Sequence, residues 1–314
     1  MTGPPRVRND TTLGYGAVLL VVFFWGIGPL FVRAVDAGAL TIATARNWIA
    51  VPVALGIAYL TKAPLTWRHL RVAIPGGLAF AVAQTLGFAS FQETSLAIAA
   101  VIGAVTPLVI VVVAVPLFGE RLSGKQISLM ALAFAGVAAV VFGADSGGDA
   151  HLLGDLLALG SLFAMTGYLL LMKHARMKGV PAAAYVAGVF LVCAVVVTPI
   201  ELASDESLGT IDGEEWLWIV LLAVFAGCLG HTLMTWAQKH VNVGIASIMV
   251  LGTTIVTAGG GWIFFGQELN VVQIVGGFVV LAALGGVLLF QLSDPDVPPE
   301  VPRPLELAEP PTAE

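Results

Sequence analysis

The sequence is short of charge. Asp, Glu, Lys and Arg make up 11% of its 314 residues, against about 25% in an ordinary soluble domain. Fourteen basic and 20 acidic side chains cannot coat a particle of this size, which leaves almost no room for a soluble globule. Cysteine is scarcer still. Cys193 and Cys228 are the only two, and both lie inside apolar runs. They exclude a disulfide scaffold and read as buried thiols. No basic stripe or basic motif is present, so nucleic acid is not an expected partner. The sequence also lacks Gly-x-Ser-x-Gly, His-Glu-x-x-His and any aspartate deep in an apolar run. An intramembrane enzyme would need such convergent groups. No metal ligand set and no cofactor motif is found, so neither is expected.

Apolar residues fill the space that charge leaves. They make up 58% of the chain, and 36 glycines raise the share to roughly 70%, against about 45–50% in soluble proteins. The expected solvent is the lipid bilayer. Runs of span length fall at about 13–32, 40–60, 72–92, 97–118, 126–143, 153–172, 182–200, 216–236, 244–265 and 271–291. They are continuous rather than alternating, which favours helices over barrel strands. The expected fold class is all-α integral membrane, with ten transmembrane helices.

Basic residues then set the direction. Arg6, Arg8, Lys62, Arg68, Arg71, Arg121, Lys125, Lys173, Arg176, Lys178, Lys239 and Arg303 fall on one set of connections. The other set holds only Arg33, and Arg46 lies within a run. The basic side is expected to face the cytoplasm, with both termini there. The opposite loops are acidic, with Asp145, Asp149, Glu201, Asp205, Glu206, Asp212, Glu214 and Glu215. Residues 1–12 carry no cleavage site, so the first run is expected to stay in the membrane of the cell. Residues 292–314 are rich in proline and acids and read as a disordered cytoplasmic tail.

The chain repeats itself. A shift of 147 residues lays 96–127 over 243–274 without a gap. Phe118-Gly119-Glu120-Arg121-Leu122 falls on Phe265-Gly266-Gln267-Glu268-Leu269, and Gln126-Ile127 falls on Gln273-Ile274. The two halves are 13–143 and 153–291, each with five spans. An odd number of spans per half makes the halves run in opposite directions. Such inverted repeats build secondary transporters, with the substrate held near the midplane.

These residues resemble the drug/metabolite transporter superfamily, EamA type. The resemblance runs over about 13–291. It rests on Trp25-Gly26, Arg46, Thr106-Pro107, Phe-Gly-Glu-Arg-Leu at 118–122, Gln126, and the weaker copy at 265–269. The second half departs from the pattern, with Thr254 opposite Pro107 and Met165 or Thr166 near the usual Trp-like position. The resemblance implies secondary transport of small metabolites by alternating access, often efflux, with no prosthetic group and no ATPase. A homodimer is compatible with it.

Polar groups inside spans are expensive and become the candidate path. Arg46, beside Asn47, is either a counter-charge for an anionic substrate group such as a carboxylate, or a structural arginine that binds helix-end carbonyls or snorkels outward. His231 is a candidate for substrate binding or proton exchange, or else a hydrogen-bonded histidine between helices. Gln84, Phe88, Phe91 and Gln92 share one face of the third span. Glu93, at its outer end, is a second proton-coupling candidate. Trp25 and Tyr168 sit at matching depths of the first and sixth spans. Thr106-Pro107 would kink the fourth span. Thr253 and Thr254, with Gly252 and Gly259-Gly260-Gly261, supply hydroxyls and close approach in the ninth. The competing reading is a polytopic membrane enzyme, such as an intramembrane protease or lipid transferase, but no catalytic set supports it.

Overall fold

The computed structural model describes residues 6–93, 102, 103, 105–107, 109, 110, 113, 117, 123–143, 152–266 and 269–293, with backbone alone for 6–10, 91, 92, 141–143, 265 and 291–293. Helix α1 (Arg6–Arg33), α2 (Ala39–Leu60) and α3 (Trp67–Glu93) come first. After them come α4 (Gly124–Gly143), α5 (Leu152–Met177) and α6 (Ala182–Leu202). The eighth apolar run arrives in three pieces: α7 (Glu215–Leu221), a π-helical segment (Leu222–Leu229) and α8 (Gly230–Ala237). The ninth is broken at Leu251-Gly252 into α9 (Val243–Val250) and α10 (Thr253–Phe265), and α11 (Val271–Ser293) follows. Among the described residues there is no strand.

Eight stretches among the described residues are long and apolar enough to cross a membrane, and Gly124–Val140 is a shorter apolar helix. The protein is therefore a multi-pass helical membrane protein. The run expected at 97–118 lies largely outside the described residues. So do Phe118 to Leu122, Asp145, Asp149, the Gln267-Glu268 pair and the tail from 294 onward. One boundary moves: α1 starts at Arg6, seven residues before the expected span, although its span-length apolar part begins only at Thr11. Pro4 and Pro5 precede it, and nothing between Arg6 and Thr12 breaks a helix.

Helix pairing follows a two-half pattern. Helix α3 packs along α5, and α1 packs along the eighth run. Exchanging the halves turns one pair into the other. The pairs α2 with α6 and α4 with α11 map onto themselves. The 147-residue repeat has a physical cause at the start of α4 and α11. Ser123 N–H donates to Gln126 Oε1 (2.7 Å), and Gln126 N–H donates back to Ser123 Oγ (3.3 Å). In the second half Asn270 and Gln273 exchange the same two bonds, each at 3.0 Å. Both are capping boxes, which satisfy backbone donors that a helix start leaves free. Each cap sits 147 residues from its counterpart.

Where α4 crosses α11 the backbones touch. A Cβ on Gly276 would stand 2.7 Å from the Gly136 carbonyl oxygen, and one on Gly136 would stand 2.8 Å from that of Gly276. Only glycine permits this approach, the usual device where lipid gives helices no hydrophobic reason to associate. Gly276→Val is therefore expected to destabilise the purified protein by ~1–3 kcal/mol, read as a lower melting temperature in detergent. An unchanged melting temperature would contradict the crossing.

Candidate functional site

Five spans deliver side chains to one buried cluster. Helix α2 brings Arg46, α3 brings Phe80 and Gln84, α5 brings Tyr168, α6 brings Phe190 and α8 brings His231, all nine-tenths buried or more. Helix α1 adds the partly buried Trp25. The His231 ring lies at its centre. Its centroid is 4.7 Å from Phe80, 5.0 Å from Trp25, 5.5 Å from Tyr168 and 5.8 Å from Phe190. His231 Nδ1 and the Tyr168 hydroxyl share a 2.9 Å hydrogen bond. Phe80 also packs on Tyr168 at 4.7 Å.

Arg46 stands beside this ring cluster. Its Nη1 donates to Gln84 Oε1 at 2.7 Å. Its guanidinium carbon lies 5.7 Å from the ring centres of both Phe80 and Phe190, within cation–π reach. The partner of Arg46 Nη1 is thus a side-chain amide on a neighbouring span rather than a helix-end carbonyl. Among the described residues, both side-chain polar atoms of the adjacent Asn47 and the hydroxyls of Thr41 and Thr44 are buried without a partner. These three recur every third residue along α2 and begin at a cleft lined by Asp36, Gly38, Thr41, Asp205 and Glu206. At that end of the bundle Glu206 accepts from Thr41 N–H (2.9 Å), and Glu215 accepts from Asp36 N–H (2.6 Å). The acidic loops thus hold the α1–α2 turn and the start of α2.

The two irregular spans face α1. In a π segment the backbone ladder slips by one residue and frees carbonyls for other partners. Trp25 Nε1 donates to one of them, Ala226 O, at 3.1 Å. In the ninth run Thr257 Oγ1 donates to Gly26 O at 2.7 Å. A Cβ on Gly26 would stand 2.5 Å from Val256 Cβ and 3.0 Å from Thr253 O. Trp25-Gly26 is thus gripped on two sides.

The other candidates fall at varying distances from this cluster. Phe88 is partly buried against the core next to it. Thr253 and Thr254 are half-buried at the start of α10, just after the break. Pro107 is buried and Thr106 half-buried, in a segment described only in pieces. The side chains of Phe91 and Gln92 lie outside the described residues. Glu93 is exposed at the last position of α3, apart from His231, so the two proton-coupling candidates do not meet. Cys193 and Cys228 are buried and free, donating to the Gly77 and Ala50 carbonyls at 3.2 and 3.3 Å.

Two basic residues do more than mark a membrane face. Lys173 is buried, and its ammonium donates to Gln238 O (2.7 Å) and Val241 O (3.3 Å), at and just past the end of α8. Arg176 donates to the Val180 carbonyl. A cation at the negative end of a helix satisfies carbonyls that the helix leaves unpaired. Lys173 read from sequence as a loop charge is a cap inside the bundle.

A multi-pass helical membrane protein built of two related halves around a buried polar cluster has the architecture on which membrane transporters are built. The particular family follows from comparison with known proteins. The model of the EamA-like transporter family matches residues 12–142 and again 152–289. The chain belongs to this family, and each half of it is one repeat. It is 26% identical over 291 residues to an uncharacterized transporter of Archaeoglobus fulgidus, covering 88% of this chain and 95% of that protein. A solved structure described only as a crystal structure of protein superposes with a TM-score of 0.74 at 18% identity, covering 90% of this chain and 98% of the other. That likeness concerns the fold alone.

Proposed function

We propose that the protein is a secondary active transporter that exports a small metabolite, such as an amino acid, amine or related compound, across the cytoplasmic membrane by alternating access. The observation that carries this reading is the convergence of Arg46, Gln84, Tyr168 and His231 from four different spans on one interior cluster. Groups this costly in hydrocarbon are kept where a substrate needs them. In this reading the full chain has ten spans in two inverted halves. The cluster sits between the halves, and each half rocks against the other around it. The π segment and the break at Leu251-Gly252 are the places where the second half can bend. Both termini lie in the cytoplasm, on the evidence of the basic loops. Trp25, Phe88, Thr106, Pro107, Thr253 and Thr254 complete the proposed path.

The test is counterflow in proteoliposomes loaded with a panel of amino acids, amines, carboxylates and sugars. Protein-dependent exchange of at least one compound is expected, abolished by Arg46→Ala. Measurable hydrolysis of a peptide or lipid with no exchange of any compound would overturn the reading in favour of a membrane enzyme.

A further inference from the structure

We infer that the transported compound carries a carboxylate, held by Arg46 together with Gln84. The inference rests on the transporter reading and narrows it. Three observations carry it.

The first is an arginine without an anion. Arg46 is 5% exposed. Among the described residues the acids of α1, α2, α3, α5, α6 and the eighth run lie at helix ends or are absent: Asp10, Glu93, Asp155, Glu201 and Glu215 are all there are, and α2 has none. The walls around the guanidinium are aromatic, Phe80 and Phe190. A guanidinium is never deprotonated to escape such a place, so its charge needs a partner.

The second is an excess of donors. The bond from Arg46 Nη1 to Gln84 Oε1 uses the amide oxygen of Gln84. It also fixes the amide orientation, because the reverse would set its NH2 against the guanidinium. Among the described residues, Arg46 Nε and Gln84 Nε2 remain buried without a partner. Both are donors. A neutral hydroxyl or a second amide could not satisfy a pair of donors and balance a charge, and an ammonium would be repelled. A carboxylate does both, with two oxygens that accept and one negative charge.

The third is the chemistry of the rest of the wall. Trp25, Phe80, Tyr168, Phe190 and His231 present ring faces and edges. They suit a flat or apolar body attached to the carboxylate. Arg46 and Gln84 set the charge class, and the rings set the body.

The substitution that isolates this idea is Gln84→Glu. It keeps the shape of the side chain and supplies Arg46 with an internal carboxylate, so the fold is retained while the site is filled from within. Ligand-induced thermal stabilisation of the purified full chain is measured in gluconate buffer. The probes are the sodium salts of aliphatic and aromatic carboxylates and the amino acids, each beside its amide and its decarboxylated amine, with chloride as a separate arm. The expected result is stabilisation by at least one carboxylate and not by its amide or amine. That stabilisation needs ~tenfold or more higher concentration in Gln84→Glu. Arg46→Lys, which keeps charge but loses the planar fork, gives an intermediate loss. Equal stabilisation by an amide or amine, an unchanged carboxylate response in Gln84→Glu, a response to chloride alone, or no response to any probe would each overturn the inference. The two readings fail separately in vesicles. Counterflow of an amine indifferent to Gln84→Glu leaves the transporter and removes the carboxylate. Carboxylate binding without counterflow leaves the anion site and removes the transporter.

Discussion

Gly26→Leu is expected to yield little folded protein and no counterflow. A β-carbon at this position would stand 2.5 Å from Val256 Cβ, 2.8 Å from Val256 Cγ1 and 3.0 Å from the Thr253 carbonyl oxygen. Two of those atoms cannot swing away, since one is a β-carbon and the other is backbone. The helix propensity gained by replacing glycine is about 1 kcal/mol at most. The clash exceeds it, because relief requires α1 to move off α10. That movement would also break the Thr257–Gly26 bond (2.7 Å) and strain the Trp25–Ala226 bond (3.1 Å). Gly56→Leu is the control. It lies on α2 with nothing within 4 Å of its would-be β-carbon, and it is expected to match the parent in yield and melting temperature. Gly26→Ala is expected to lie between them and to recover in part when combined with Val256→Gly. Equal yield and equal flux for Gly26→Leu and Gly56→Leu would refute a close α1–α10 contact.

Composition alone exposes the membrane, because no other solvent accommodates so little charge, and the span runs at 40–60, 182–200 and 216–236 lie within a few residues of helices in the structure. The pairing of Gln126 with Gln273 is visible in the repeat, and its cause is local: a capping box is written in four consecutive residues. Trp25 and Tyr168 are also legible, as aromatics at equal depths in related spans, and both reach His231. What sequence cannot supply is whatever depends on a partner brought from far along the chain. The partner of Arg46 is Gln84, thirty-eight positions away, and no local rule selects it over Asn47. Lys173 looks like any loop cation until Gln238 and Val241 arrive beside it. Phe80 and Phe190 read as ordinary span residues, yet they form the walls of the cluster. The π segment at Leu222–Leu229 carries neither proline nor an unusual pattern. Its slipped ladder becomes favourable through packing against α1 and α2. Glu93 is legible as the outer end of the third span, and it is exposed at the last position of α3.

His231→Ala is expected to lower both stability and flux more than any other single change in the cluster short of Arg46. The imidazole touches Trp25, Phe80, Tyr168 and Phe190, so truncation opens a cavity with four ring walls. Loss of a ring from a packed interior costs about 3–5 kcal/mol. Loss of the 2.9 Å bond to Tyr168 adds a smaller cost, since polar pairs between membrane helices average only about 0.6 kcal/mol. Packing therefore dominates stability here. That ordering allows the two roles of His231 to be separated. His231→Phe keeps the ring but leaves the Tyr168 hydroxyl without its partner. Tyr168→Phe in the same chain removes the stranded hydroxyl, and replacing both partners by apolar groups of similar shape is close to neutral. The double variant is expected to melt near the parent temperature. Its counterflow is expected to stay depressed, because the restored packing returns no polar group to the path. Flux that recovers in step with stability would show that His231 and Tyr168 hold the spans together and do nothing for the substrate.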